Sequence, residues 1–510
     1  MCSPHPMWLM VLLSGLLALN LSNAAEAVPL KLTLAEARQR ALEKNLQLKI
    51  QRLDPLMAKL SLRAAQGVYD PLLTFETRRE NLADLGGYDP ADFSKDAIYE
   101  AESHIARAGI TGLTPIGMTY SIGGDYANSF GTRNYVYFDS YNINLDLFIS
   151  QPLLRGFWID QPRMLIQISR KQIRSTTLAL RHAVMDVLQQ LEQGYFELMY
   201  AQENLAVYRN LHASRQRLLE AVQRLARGGL LTEADVNLAE SQLAATAAEL
   251  EQAQEMVRLA QNNLRLIMGE PFAENHNAPL EAAEILMAIP QANEYSQSCR
   301  TALAQRADLA WLRTEAEKAE VDLKFRYNQL FPSLNLVAGW GRRGAHTLQD
   351  FWMPPRASSG PAWNQLFGGD SPSDMVGVVF NMPLSRTAER ANHRLSRQRK
   401  EQALLMVRQK EEMVMREVAD ALAQADAAWR RLQRQREAVH HACQVLTAEE
   451  KKLMGGKSTV LFVLQFQTDL AMARSRELRA MADYNQACAR LRFAEGTIIE
   501  ASGMQMEIAP

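Results

Sequence analysis

In this 510-residue chain, chemistry would be sought first among histidine, cysteine, the acids and glycine. His440, His441 and Cys443 are metal-ligand types close together in sequence. Only His440 and Cys443, three apart, share a helix face, and a metal site needs about four ligands. The run reads as solvated helix surface, so no metal is expected. The carboxylate pairs Glu411-Glu412 and Glu449-Glu450 are adjacent residues. Their side chains leave a helix on different faces and do not converge as general acid and base. Arg430, Arg431, Arg434 and Arg436 form a basic stretch on the same kind of surface, and the net charge of −1 lacks the basic excess of a nucleic-acid binder. No P-loop, nucleophile elbow or HExxH motif occurs. No catalysis, cofactor or nucleic-acid partner is expected.

Glycine carries the sharper signal. No proline occurs from Arg163 to Glu270 or from Leu384 to Ala509, so both stretches read as nearly continuous helix. Each is cut by one glycine pair, Gly228-Gly229 and Gly455-Gly456, where the backbone can enter left-handed angles and reverse. Two helical hairpins follow, each with a long and a shorter arm. Val184, Leu188, Leu191, Tyr195 and Leu198 step by 4, 3, 4 and 3. Leu211, Leu218, Val222 and Leu225 continue the series. Val414, Val418, Ala421, Ala425, Ala428 and Leu432 repeat it in the second hairpin, and Leu243, Ala247, Leu250 and Val257 mark the first short arm. This is coiled-coil spacing. Thr232 suits a helix N-cap, with Asp235 one turn inside favouring the positive end of the helix dipole.

The landmarks come twice. Ala41, Leu42, Leu48 and Pro71 match Ala302, Leu303, Leu309 and Pro332 at an offset of 261; QPLLR around Pro152 matches MPLSR around Pro383 at 231; Gly228, Gly229 and Gly269 match Gly455, Gly456 and Gly496 at 227. One order kept three times implies a duplicated structural unit, with about 30 extra residues between the prolines of the first copy. The expected division is a signal peptide over 1–24, with cleavage as late as 27 as the other option. A first repeat covers 30–270, with strands at 70–152 and a tip at 228–231. A linker covers 271–298. A second repeat covers 299–500, with strands at 332–383 and a tip at 455–458, and a tail covers 501–510. The long arm Pro152–Gly228 matches the helices Thr33–Tyr69 and Leu231–Gly269 laid end to end. Pro383–Gly455 likewise matches Cys299–Gln329 plus Ser458–Gly496. At ~1.5 Å per residue the shaft is about 100–115 Å long, which suits a tube across the periplasm rather than a globule.

Between the paired prolines the period changes to two: Leu73–Thr77, Met118–Ile122, Tyr141–Leu147, Leu334–Ala338 and Met375–Phe380. Asn, Asp, Thr and Ser alternating with aliphatics and aromatics predict barrel strands with a lipid face and a wet face. Segments 81–96 and 342–373 read as extracellular loops, the extra length of the first copy as a hairpin near His104–Asn128, and Trp340, Trp352 and Trp363 as an interfacial girdle or loop packing. The apolar run Met7–Leu21, followed by small-x-small sites, reads as an export signal. No other segment reaches the ~18 apolar residues of a membrane helix, so any crossing must be a closed β-barrel. Each copy offers at least two crossings, about four per chain, and a barrel needs at least eight. Identical copies must complete the wall, and a cyclic trimer of twelve strands is the smallest with room for a lumen. Of the four cysteines, Cys2 precedes the expected cleavage site; the remaining Cys299, Cys443 and Cys488, widely spaced and odd in number, read as buried small apolar residues rather than a disulfide framework.

These features together resemble the TolC-like outer membrane efflux protein family, the outer membrane factors of tripartite efflux and type I secretion systems. The echoes are LTLAEARQRALEKN at 32–45, the Gly67/Tyr69-Asp70-Pro71 entry to the first strand, QPLLRGF at 151–157 and GLLTEADVNLAE at 229–240. The implied fold is an α+β membrane protein. Long antiparallel coiled-coil hairpins form an α-barrel, and transmembrane strands form a β-barrel closed only as a homotrimer in the outer membrane and extending into the periplasm. The implied function is a passive exit duct for small molecules or polypeptides, with a periplasmic adaptor, an inner-membrane transporter and outer-membrane lipid as partners. The glycine turns become periplasmic tips that contact the adaptor or gate the tunnel: Gly228, Gly229, Leu231, Thr232 and Asp235, then Gly455, Gly456, Ser458, Thr459, Leu461, Phe462 and Gln465. Phe462 and Gln465 stand where relatives often carry acidic residues, which suggests an apolar constriction instead. A periplasmic coiled-coil scaffold or adaptor with a small β domain is the competing reading.

Overall fold

The computed structural model describes residues 30–84, 99–133, 136–271, 279–291 and 294–503. The signal-peptide segment, most of the 81–96 loop and most of the 501–510 tail lie outside them. The chain divides into two units by contact.

The first unit joins residues up to Ala41 with Leu191–Met287 and Arg434–Ala482. Strand β1 (Leu30–Leu32) leads into helix α1 (Leu34–Lys44) and pairs in parallel with β6 (Leu280–Ala282), so the 271–298 segment expected as a linker contributes a strand. Tyr195 donates its hydroxyl to the Leu32 carbonyl at 2.9 Å, and the Gln202 and Gln261 amides donate to the Leu280 carbonyl. Burial pushes the Tyr195 phenol up to about 12.

Helix α3 (Gln161–Arg227) packs antiparallel to α4 (Glu233–Met268). Gln223 meets Glu240 at 3.3 Å near the turn, and Gly194 faces Asn263 and Leu264 at the far end. The seam of α4 differs from the expected one. Ala239, Thr246, Ala253 and Ala260, seven residues apart, are buried, whereas Ala247 is exposed and Leu243, Leu250 and Val257 are half-buried. Small side chains let the two backbones approach closely, so the larger residues flank the contact instead.

The second unit holds Leu42–Gln190, Ala288–Gln433 and Asp483 onward. The helix expected over Thr33–Tyr69 is two: α1 ends at Lys44 and α2 (Leu46–Gln66) restarts after Asn45, whose side chain accepts from the Leu48 N–H at 3.0 Å. The helix expected over Cys299–Gln329 is likewise α5 (Tyr295–Gln305) and α6 (Ala307–Asn328), broken at Arg306. Asn45 and Arg306 stand 261 apart, the offset of the first sequence landmark. Arg306 is buried, and it binds Asp308 at 2.7 Å and Glu417 at 2.5 Å. Lys410 reaches Asp308 at 2.8 Å. Burial alone would raise the Asp308 carboxyl; the hydrogen bonds from Arg306 and Lys410 reverse this and hold it well below the usual carboxylate range.

The sheet departs most from expectation. Six antiparallel strands, not four, lie in the order β2 (Leu72–Asp84), β3 (Tyr99–Leu113), β4 (Thr119–Arg133), β5 (Val136–Pro152), β7 (Ser333–Asp350) and β8 (Pro372–Asn381). The sheet is open, with β2 and β8 at its edges. His104 pairs with Asn128 in β3–β4, so the extra residues of the first copy do form a hairpin. The 342–373 loop is also shorter than expected: β7 continues to Asp350, and a nine-residue helix, α7 (Gly360–Gly368), follows. Ala362 and Leu366 of α7 bury against Ile143, with Tyr126 and Tyr141 packed around them. Trp363 stacks on Phe367 at 5.9 Å, which fits loop packing, whereas Trp352 is exposed.

The sheet register separates two faces. One carries Phe75, Ala108, Ile122, Leu145, Leu147, Leu336, Trp340 and Val378; the other carries Glu76, Arg107, Asp125, Asn144 and Arg343. The helices α8 (Thr387–Met454) and α9 (Val460–Glu495), then the short α10 (Ile498–Ala501), complete the chain. Buried Val414, Val418, Ala421, Ala425, Ala428 and Leu432 line α8 as the spacing predicts. Cys299 and Cys488 are buried, but Cys443 is exposed, contrary to expectation, because it lies on the outward side of α8.

Candidate functional site at the helical tips

At the first tip the N–H groups of Gly228, Gly229 and Leu230 bond the carbonyls of Arg224, Ala226 and Leu225. These bonds satisfy groups that a helix end leaves open. Gly229 has φ +75°, so any side chain there is strained although the space around it is empty. Thr232 caps α4. Its hydroxyl accepts from the Asp235 N–H at 3.3 Å, and the Asp235 carboxylate accepts from the Thr232 N–H at 3.0 Å. This is a reciprocal capping box.

The second tip closes in the same way and is capped differently. Gly455, Gly456 and Lys457 donate to the carbonyls of Lys451, Leu453 and Lys452, and Gly456 has φ +69°. The residue 227 beyond Asp235 is Phe462, which cannot accept a backbone hydrogen bond. Ser458 instead donates to the Glu449 carboxylate at 2.5 Å, beside Lys452 at 2.9 Å. These two hydrogen bonds, Ser458 first, hold the Glu449 carboxyl below its ordinary value.

Beneath the turns Val222, Val460 and Leu464 are buried, with Leu218, Leu231, Val236, Leu238 and Leu453 around them. Leu231 therefore packs the two tips together and is not a free contact residue. Thr459 and Gln465 are exposed. Leu230, Met454, Leu461 and Phe462 present large apolar groups to solvent, and Phe462 stacks on Phe466 at 6.5 Å.

The motif reading passed over one residue. Arg215 is 3% exposed. It donates to the Gln242 carbonyl at 2.8 Å, to the Thr246 hydroxyl and to the Thr468 hydroxyl at 2.6 Å, so it ties α3 to α4 and α9. Burial lowers its pKa from the ordinary value. The signal was present: Arg215 fills the missing step between Leu211 and Leu218 in a heptad read for its apolar members alone.

Other candidate groups are occupied as surface pairs. Arg430 meets Asp426 and Arg431 meets Asp483; Arg434 pairs with Glu437, and Arg436 with Glu477. Glu411 binds Arg313 at 2.8 Å. His440 meets the Gln444 amide at 3.1 Å.

A second surface also escaped the motif reading. Leu46, Ile50, Leu53, Met57 and Leu60 of α2 keep the 4, 3, 4, 3 spacing but are 54–68% exposed. Helix α2 runs into edge strand β2. Past the other edge, β8 leads into α8, where Leu395, Met406 and Met413 are exposed at spacings of 11 and 7, again one helix face.

The family model described as Outer membrane efflux protein matches residues 129–270 and 299–497. The alkaline protease secretion protein AprF of Pseudomonas aeruginosa is 26% identical over 312 residues, spanning 61% of this chain and 60% of AprF. The proteases secretion protein PrtF of Dickeya chrysanthemi is 23% identical over 424 residues, 82% of this chain and 86% of PrtF. The CmeC outer membrane channel of Campylobacter jejuni shares the fold at 13% identity, with a TM-score of 0.65 over 93% of this chain and 90% of CmeC. With its two helical hairpins and open antiparallel sheet, this chain belongs to the outer membrane efflux protein family and is a protein of the outer membrane.

Proposed function

We propose that three copies of this chain form a passive exit duct through the outer membrane and periplasm, serving a tripartite efflux or type I secretion system. One observation carries the reading. Among the described residues both edges of the sheet are unpaired, and each continues into a helix with an exposed apolar stripe. A strand edge without a partner is a template for another chain, and an exposed heptad stripe is an unfilled coiled-coil seam. A second copy supplies both at once, and cyclic closure removes every edge. The apolar face, outside the part that α7 covers, then meets lipid and the polar face lines the lumen.

The chain is read as two copies of one unit, behind a signal peptide over 1–24. The helix breaks at Asn45 and Arg306 and the left-handed Gly229/Gly456 and Gly269/Gly496 pairs, each kept at its own offset, support the duplication. The tips are read as the adaptor contact and entrance, offering Leu230, Met454, Leu461 and Phe462 as apolar contacts, with an inner-membrane transporter as the energy source. The protease-secretion names of AprF and PrtF favour a polypeptide cargo.

Detergent-extracted protein is expected to have the mass of three protomers and to conduct ions in planar bilayers. A monomer released by salt without detergent overturns the reading. Leu230→Cys or Lys457→Cys, carrying a crosslinker in intact cells, is expected to capture an adaptor.

A further inference from the structure

We propose that the membrane wall of this duct is eighteen-stranded, six strands from each of three copies, and that its outlet is wide enough for a polypeptide travelling as a helical hairpin. The inference rests on the trimeric-duct reading.

The β3–β4 hairpin is built as wall. Its two strands of 15 residues pair along nearly their whole length with β2 on one side and β5 on the other. A row across one face runs Phe75, Ala108, Gly124, Leu145 and then Arg342, so the hairpin keeps the apolar character of β2 and β5, the strands that flank it, at the same height. The row behind it runs Glu76, Arg107, Asp125, Asn144, Arg343. Its charges alternate, and the hairpin supplies the two middle members. A flap lying outside the wall would have no reason to complete a charged row between β2 and β5.

The hairpin also reaches the base of the sheet. Its turn, Thr114–Met118, closes on itself through the Thr114 and Met118 backbones, and the Ile116 carbonyl accepts from the Gln151 amide at 3.4 Å. Gly117, at φ +85°, lies against Arg163 and Asp160 at the start of α3, so a side chain there meets the guanidinium. A hairpin inserted between an upward and a downward strand preserves the alternation, so the two free edges stay where they would be without it.

The consequence is geometric. With strands about 4.8 Å apart and tilted ~40°, eighteen strands close at a backbone diameter of about 36 Å, against about 24 Å for twelve. Side chains on both walls leave a lumen of roughly 26 Å or 14 Å. A helix with its side chains is about 10–12 Å across, so two fit side by side only in the wider wall.

Cryo-electron microscopy of the full-length protein in lipid nanodiscs tests the count. Three protomers around a wall of eighteen strands is the expected result. Three protomers around twelve strands, with residues 99–133 outside the wall or folded into it, overturns the inference and leaves the duct reading intact. Particles without threefold symmetry overturn both. As a second readout, polyethylene glycols added on the extracellular side of a planar bilayer are expected to enter the channel up to about 26 Å in hydrodynamic diameter. A cut-off near 14 Å in trimeric channels overturns the wider outlet.

Discussion

Two stripes in this molecule have the same spacing and opposite fates. On α3, Val184, Leu188, Leu191, Tyr195 and Leu198 are buried; on α2, Leu46, Ile50, Leu53, Met57 and Leu60 stand in solvent. Periodicity alone does not distinguish them, because it reports that a helix has an apolar side and not who covers it. The inward stripe belongs to the folding of the protomer. The outward stripe, beside an unpaired strand, belongs to assembly. Stability and oligomeric state should therefore respond to different residues.

The largest expected effect breaks the comparison if it fails. Leu188→Ala removes a fully buried side chain and should cost about 2–5 kcal/mol of protomer stability, read by denaturant unfolding. Leu53→Ala, at an equivalent step of the exposed stripe, should cost the isolated protomer less than about 0.5 kcal/mol. Equal losses in a dissociated protomer would show that both stripes serve the same fold.

The second expectation reverses the readout. Leu53→Arg with Met57→Arg puts two charges into the proposed interface, and burying an unpaired charge is costly. Most of the extracted protein should shift from trimer to monomer by native mass spectrometry, with the helical circular dichroism of the protomer retained. A trimer that tolerates both substitutions would remove α2 from the interface.

The third concerns the charged break between α5 and α6. The Asp308 carboxyl is held below its unfolded value, so its contribution to stability is complete above the unfolded pKa of ~3.9 and is lost as pH falls through the folded value. Protomer stability should decline below about pH 4, and Asp308→Asn should flatten that part of the profile. An unchanged decline in the variant would assign acid sensitivity elsewhere.

The smallest effect separates the tips. Thr232→Ala removes a capping hydroxyl and should cost about 1 kcal/mol, seen as faster amide exchange at Glu233–Asp235. Thr459→Ala should cost less than half as much, since Phe462 leaves the second tip without a capping box. Equal exchange at both tips would mean that the box adds nothing.

Much of the fold was legible in local spacing. Proline-free stretches, paired glycines and the Thr232-to-Asp235 interval each act over a few residues, so the two hairpins and the first cap could be read from them. The tip core was less legible. Leu231 reads as an exposed turn residue until the second hairpin is placed beside it, and Arg215 interrupts an apolar series that the eye completes without it. The seam of α4 was misread because leucine and valine draw attention, while close packing selects Ala239, Thr246, Ala253 and Ala260.

What this sequence determined by itself is the two long helical hairpins and the alternating strands between the prolines, since backbone preference and side-chain period are properties of consecutive residues. Tertiary structure alone decided that six strands share one sheet, that α7 lies on its apolar face, and which heptad stripes find a partner within the chain. Those outcomes depend on what residues hundreds of positions apart bring alongside, and burial is settled between surfaces rather than along a strand or helix.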